Sequence, residues 1–216
     1  MQEPLRRVLV IGATGLVGAE VVRRLAAHDG VQEVVALVRR APPARPSAKV
    51  SYRVVDFDHL DSHTDAFAVD AVVSALGTTA RATLDPVAYR RVELEIPLDV
   101  VTRAHRQGAR RAALVSTIGA NARSRASYLR QKGELEDAVR ALGWERLVIA
   151  RPSTLIGARP EFRLGERLGV WAGPLLPARY KPVRGDLVAA AVVEALFRDG
   201  PAVEVLDNVT LRGTAA

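Results

Sequence analysis

Apolar residues fall along this chain in two alternating rhythms. Short, nearly continuous runs recur at Leu5–Ile11, Glu33–Val38, Val50–Val55, Asp70–Ala75, Arg111–Ser116, Glu145–Ala150 and Ala202–Leu206. Between them lie segments whose apolar residues repeat every three or four positions. One is Gly15–His28, with its stripe at Gly18, Val21, Val22 and Leu25. Runs of four to eight residues predict strands, and the longer period predicts amphipathic helices. A helix is predicted from Asp85-Pro86, with Asp as the cap and Pro in the first turn, to about Gln107, ended by Gly108. Another is predicted to start at Ser124 or Ser127 and end near Gly143, and a third to run from Asp186, as its cap, to Arg198.

Strand and helix in alternation predict an α/β fold: a doubly wound parallel sheet of Rossmann type, covered on both faces. Runs such as Val8–Ile11 suit strands buried on both sides. After Arg151 the rhythm breaks. Residues 152–182 hold Pro152, Pro160, Pro174, Pro177 and Pro182 among several glycines, and predict an irregular lid or substrate segment inside one domain spanning 1–216. In such sheets ligands bind beyond the carboxyl ends of the strands.

Composition narrows the classes. The chain has 216 residues, 49% of them hydrophobic and 25% charged, which is ordinary globular usage. It has no cysteine, so no disulfide framework or thiolate metal site exists. The formal charge is +7, and only Lys49, Lys132 and Lys181 among the 31 cationic residues are lysines. The arginines stand in scattered pairs without a basic block, so no nucleic-acid partner is expected. No apolar run reaches membrane-helix length, and no signal peptide is visible, so a cytoplasmic location and no membrane partner are expected. His28, His59, His63 and His105 have no metal-ligand spacing, and no metal is expected. Trp144 is expected to pack at a helix end, and Trp171 and Tyr180 are candidates for lining a pocket under the lid.

The first candidate chemistry is Gly12-Ala13-Thr14-Gly15-Leu16-Val17-Gly18, between the first strand and the first helix. Gly12 suits the tight turn, Gly15 a close approach of backbone to a pyrophosphate, and Gly18 packing against the sheet. The open N–H groups and the helix dipole then face the phosphates. At the end of the second strand an acid would suit the ribose of NAD, and Arg a 2′-phosphate. Arg39, 21 residues after Gly18, and Arg40 stand there, so NADP(H) is expected over NAD(H). Asp56 and Phe57 follow the third strand, where an adenine would sit. Ala75, Leu76 and Gly77 end the fourth, and their small size lets a cofactor cross close to backbone. Arg151 and Pro152 end the sixth and complete the predicted cofactor set, Arg151 with a structural role favoured for its side chain.

The second is Tyr128-Leu129-Arg130-Gln131-Lys132. At i and i+4 the phenol and the ammonium share a helix face. Leu135, Val139 and Leu142 extend that face, so both are expected on the side packed against the sheet. A free phenol titrates near 10, and a neighbouring cation favours its ionised form. Tyr128 is thus the candidate general acid or base on a carbonyl/alcohol pair, and Lys132 its partner. Ser116, 12 residues before Tyr128, is the candidate hydrogen-bond donor to the reacting oxygen, with Thr117 as runner-up.

Together these residues resemble the short-chain dehydrogenase/reductase superfamily. The resemblance is closest to its small atypical NAD(P)-binding branch, similar to the Tat-interacting oxidoreductase homologue. Leu76-Gly77-Thr78-Thr79, Leu114 to Ala120, Lys132-Gly133-Glu134-Leu135-Glu136 and Arg151-Pro152-Ser153 carry the narrower likeness, which covers nearly the whole chain. It implies a Rossmann fold, a nicotinamide cofactor, a Ser/Tyr/Lys site and a Lys132 that also holds the nicotinamide ribose. Where many members carry a relay Asn, Glu93 stands here. The expected function is an NADP(H)-dependent oxidoreductase on a small-molecule carbonyl/alcohol substrate. Alternatives are a non-catalytic NADP(H)-binding redox sensor or regulatory protein and, last, a nucleotide-sugar epimerase or dehydratase. The last is disfavoured because only 65 residues follow Arg151.

Overall fold

A computed structural model describes residues 5–43, 47–78, 83, 85–157 and 177–214. Seven parallel strands form one sheet: β1 (Arg7–Ile11), β2 (Glu33–Val38), β3 (Val50–Val54), β4 (Ala71–Ser74), β5 (Arg111–Val115), β6 (Arg146–Ala150) and β9 (Val203–Leu206). Their spatial order is β3-β2-β1-β4-β5-β6-β9, so the order reverses beside β1, at the gap between β1 and β4. Two short strands, β7 (Leu155–Ile156) and β8 (Val183–Arg184), pair in parallel apart from it.

The central strands are apolar because both of their faces are covered, whereas the edge strands β3 and β9 are partly exposed and carry polar residues. Along β1, Val8 and Val10 enter the core under α1 (Leu16–Ala27) and the late helix α5 (Gly185–Phe197). Leu9 and Ile11 enter the opposite core with Phe67, Val100, Leu135 and Trp144. That second layer holds a 3-10 turn (Leu60–Phe67), α3 (Ile96–Arg106) and α4 (Ser127–Arg140). The alanines of α5 keep it thin enough to lie close on α1 and the sheet. Its last carbonyls would otherwise be orphaned. Arg111 bonds the Leu196 carbonyl at 2.7 Å and Arg146 the Ala195 carbonyl at 3.0 Å.

The strand and helix expectations hold within a residue or two, with four corrections. The helix from Pro86 is not uniform: α2 (Pro86–Arg90) passes through a π-helical turn (Arg91–Glu95) into α3. Asp85 does cap it, accepting from the N–H groups of Val87 and Ala88. α4 starts at Ser127 after Ala126, and neither Ser124 nor Ser127 caps it. α5 starts at Gly185, and Asp186 is bonded to Arg184 instead of capping. A final helix, α6 (Asn208–Gly213), was not foreseen.

Of the expected lid, residues 158–176, Trp171 included, lie outside the described residues. The described part is braced by Asn208, which is buried. Its carboxamide accepts from the Ser153 N–H at 2.9 Å and donates to the Lys181 carbonyl at 2.8 Å. Tyr180 is exposed, with the Arg179 guanidinium 4.7 Å over its ring.

Candidate active site

The glycine turn lies at the carboxyl edge, at the β1/β4 reversal. Gly12 has a φ of 75°, and a Cβ there would stand 2.4 Å from the Ala75 carbonyl. A Cβ on Gly18 would stand 2.0 Å from the Gly12 carbonyl oxygen. Packing alone forbids side chains at both positions. At Gly15 the nearest neighbour is the Gly12 oxygen at 3.2 Å, so packing only crowds a side chain there. No side chain caps α1, and its first turn carries no acid, which leaves the dipole's positive end free for an anion. The cradle fits a dinucleotide's phosphates. Leu16 meets the end of the lid: Cβ atoms on Gly157 and Gly185 would stand 2.5 and 2.8 Å from its side chain.

The remaining cofactor candidates ring the same edge. Arg39 and Arg40 are exposed after β2, with no ion pair among the described residues. Asp56 and Phe57 follow β3. The Phe57 carbonyl accepts from Arg91 at 3.2 Å, and Asp58 pairs with the same guanidinium, tying this loop to the π turn. Ala75 donates its N–H to Ile11 at 3.0 Å and starts the Ala75-Leu76-Gly77 crossing at the switch point.

Lys132 is brought to this crossing. Its Nζ stands 2.8 Å from Glu93 Oε2, with both side chains buried at 3% and 0% exposure. Glu93 Oε1 accepts the Thr78 N–H at 2.5 Å. A Cβ on Gly77 would lie 3.7 Å from Lys132 Nζ. The placement depends on Gly133, where a Cβ would stand 2.1 Å from the Ala122 nitrogen; only glycine lets α4 lie so close to the loop after β5. Along α4, Lys132, Leu135 and Val139 are buried as the stripe predicts, and Leu142 packs at the same core's margin. Tyr128, expected on the covered side, is instead 37% exposed.

Ser116 departs from its expected role. Its hydroxyl is buried and donates to Glu136 Oε1 at 2.5 Å. Arg151 grips the same carboxylate through Nε at 3.0 Å and through a second guanidinium nitrogen at 2.5 Å. Arg140 reaches it at 3.3 Å. A carboxylate with three charged or hydroxyl partners is a rigid post under the strand ends. The guanidinium of Arg151, which was placed in the cofactor set, is thereby committed to Glu136. Pro152, buried beside it, holds the Ser116-Thr117 loop through its carbonyl, which accepts the Ile118 N–H at 2.8 Å. Thr117 is half-buried, and its hydroxyl has no hydrogen-bond partner among the described residues.

Glu136 and Tyr89 are the site residues that sequence reasoning missed. Glu136 lies four residues after Lys132 on the same face, a signal present in Lys132-Gly133-Glu134-Leu135-Glu136. The partners 15 and 20 residues away were not readable. Tyr89, half-buried on α2, is close enough to Glu93 and Tyr128 to feel their charge. Burial, then Glu93, then Tyr128 push its hydroxyl up to about 12.

The glycine cradle, the switch-point crossing and the lysine share one edge of the sheet. The sequence profile described as "NAD dependent epimerase/dehydratase family" matches residues 8–172. The chain belongs to that family. Protein FMP52, mitochondrial, of Candida albicans is 29% identical, over 94% of this chain and 93% of its own. Its namesake in Eremothecium gossypii is 32% identical over 94% of each chain. Among solved structures, Bordetella bronchiseptica WbmH in complex with NAD+ aligns with a TM-score of 0.73 at 17% identity, covering 94% of this chain and 75% of that one. MoeE5 in complex with UDP-glucose and NAD aligns at 0.71 and 17%, covering 93% and 75%. These likenesses confirm the fold. The relatives' names correct one expectation: they are mitochondrial proteins by name, so the cytoplasmic default does not stand. No helix of the described residues is long and apolar enough to cross a membrane.

Proposed function

We propose that this chain is an NADP(H)-binding oxidoreductase of the atypical short-chain dehydrogenase/reductase type, acting on a carbonyl/alcohol pair. The observation that carries the reading is the convergence of the glycine cradle with the Lys132 ammonium beside Gly77, one helical turn from Tyr128. Residues 12–18 would hold the pyrophosphate, Arg39 and Arg40 a 2′-phosphate, and Asp56 and Phe57 the adenine. Ala75, Leu76, Gly77 and Lys132 would flank the nicotinamide half. When bound, the nicotinamide supplies or accepts the hydride. Tyr128 donates a proton to the carbonyl oxygen or takes one from the alcohol. Thr117, whose hydroxyl has no partner among the described residues, takes the second hydrogen bond to that oxygen in place of Ser116, which Glu136 holds. The likeness to the Tat-interacting oxidoreductase branch belongs to this reading.

One observation favours the binding-only alternative. The charge of Lys132 already has a buried partner in Glu93, an arrangement that suits a site built to hold a ligand still. The nucleotide-sugar alternative is supported by the family and by the fold neighbour MoeE5, solved in complex with UDP-glucose and NAD. The chain spans about 75% of that neighbour and nearly all of the FMP52 relatives.

The test is thermal stabilisation by NADPH and NADH, followed by NADPH oxidation over a panel of aldehydes, ketones and UDP-sugars. NADPH is expected to stabilise more strongly, and a carbonyl to be reduced. Tyr128→Phe should keep NADPH binding and lose at least 100-fold in turnover. Turnover that survives Tyr128→Phe removes the acid/base role. Tight binding with no turnover selects the binding-only reading, and conversion of a UDP-sugar selects the third.

A further inference from the structure

Two pairs with the same spacing lie on neighbouring elements of the site. On α4, Tyr128 stands four residues before Lys132. On α2 and the π turn that follows it, Tyr89 stands four residues before Glu93. The charged members meet directly, Glu93 Oε2 to Lys132 Nζ at 2.8 Å. The two elements are braced beside this contact by Arg90 and Glu134, paired at 2.9 Å.

The π turn explains how this is possible. An α-helix continued from α2 would carry Glu93 at its own helical phase. Widening by one residue between Arg91 and Glu95 re-aims the side chains in that turn, a device common at functional sites. Glu93 ends fully buried, spanning two elements of the site: the Thr78 N–H on the crossing loop and the Lys132 ammonium on α4. A carboxylate buried so deeply is costly unless paired. A lysine buried without it would be equally costly, so neither member is free to turn away from the other.

We propose that Glu93 is a positioning residue of this site: it aims the Lys132 ammonium and locks it to the Gly77-Thr78 crossing. This rests on the dinucleotide-binding reading of the site. Glu93 ties the direction of Lys132 to the position of that crossing, so the lysine and the loop move as one body. Tyr89, four residues before Glu93, senses the same carboxylate: burial first, then Glu93, then Tyr128 raise its phenol to about 12.

The experiment has two arms, both on the full chain. In the first NADPH is the probe, with Lys132→Met as reference. Glu93→Gln, or Glu93→Asn if Gln does not fold, should weaken NADPH binding about tenfold at unchanged cofactor stoichiometry, and Glu93→Asp should recover part of that loss. Affinity within twofold of the unmodified protein while Lys132→Met binds poorly overturns the aiming role. Should Lys132→Met also bind normally, the assignment of Lys132 to the cofactor fails instead. In the second arm tyrosine rings are isotopically labelled and followed by NMR against pH, with Tyr89 identified by the signal lost in Tyr89→Phe. The Tyr89 signal should start to move at lower pH in Glu93→Gln than in the unmodified protein. A Tyr89 signal that Glu93→Gln leaves unshifted overturns the charged carboxylate on which the aiming rests.

Discussion

At the scale of single residues, the site separates side chains that are committed from those left open. Glu136 consumes the Ser116 hydroxyl and the Arg151 guanidinium, whereas Thr117, Arg39 and Arg40 have no such partner among the described residues. This contrast makes two predictions. Arg39→Ala should lower NADPH affinity about tenfold, roughly 1.4 kcal/mol, and leave NADH affinity unchanged in titration calorimetry. An unchanged NADPH-to-NADH ratio would remove the ribose-phosphate assignment. Thr117→Val should cut turnover of a carbonyl substrate by about 100-fold without lowering the melting temperature appreciably. Ser116→Ala should do the reverse, lowering the melting temperature by several degrees because it strips a partner from a buried carboxylate. The Tyr-x-x-x-Lys pair and the glycines were legible at this scale because local spacing fixes them. Glu136 and Tyr89 were not, because their importance arises from groups on other elements.

At the scale of elements, glycines set how closely segments approach. Gly12 admits the β4 crossing, Gly18 seats α1 on its own turn, and Gly133 seats α4 against the loop after β5. A Gly18→Ala variant forces a methyl into the Gly12 carbonyl. It should abolish NADPH-dependent thermal stabilisation and lower the melting temperature by about 5 °C or more. Intact stabilisation by NADPH in that variant would show that the turn is not the phosphate cradle. Element type and order were readable from periodicity, since buried parallel strands and amphipathic helices differ in their repeat. The π turn was not. It preserves the apolar pattern on either side and depends on burying Glu93 against Lys132, a contact 39 positions away in the chain. The cap expected at Asp186 failed for a similar reason: Arg184, two residues earlier, takes its carboxylate.

At the scale of the whole molecule, three surface carboxylates are held below their ordinary range. Arg23 lowers Glu20, Arg184 lowers Asp186, and the Thr210 amide at the start of α6 lowers Asp207 from their ordinary values of 4.5, 3.8 and 3.8. Groups with depressed folded values bind fewer protons in the folded than in the unfolded chain. Their contribution is complete above the ordinary range and is lost as pH falls through the folded values. Calorimetry should therefore show a melting temperature that declines steadily below about pH 4.5. A melting temperature constant down to pH about 3 would show that these pairs add nothing. By itself the sequence determined the alternation of strand and helix, the glycine turn at the first crossing and the Tyr128/Lys132 pair, because each is written in spacings shorter than one element. Only the tertiary structure decided that Glu136 takes the Ser116 hydroxyl and that Lys132 points to Glu93. Those outcomes depend on charges that become neighbours only when distant segments close over the same edge of the sheet.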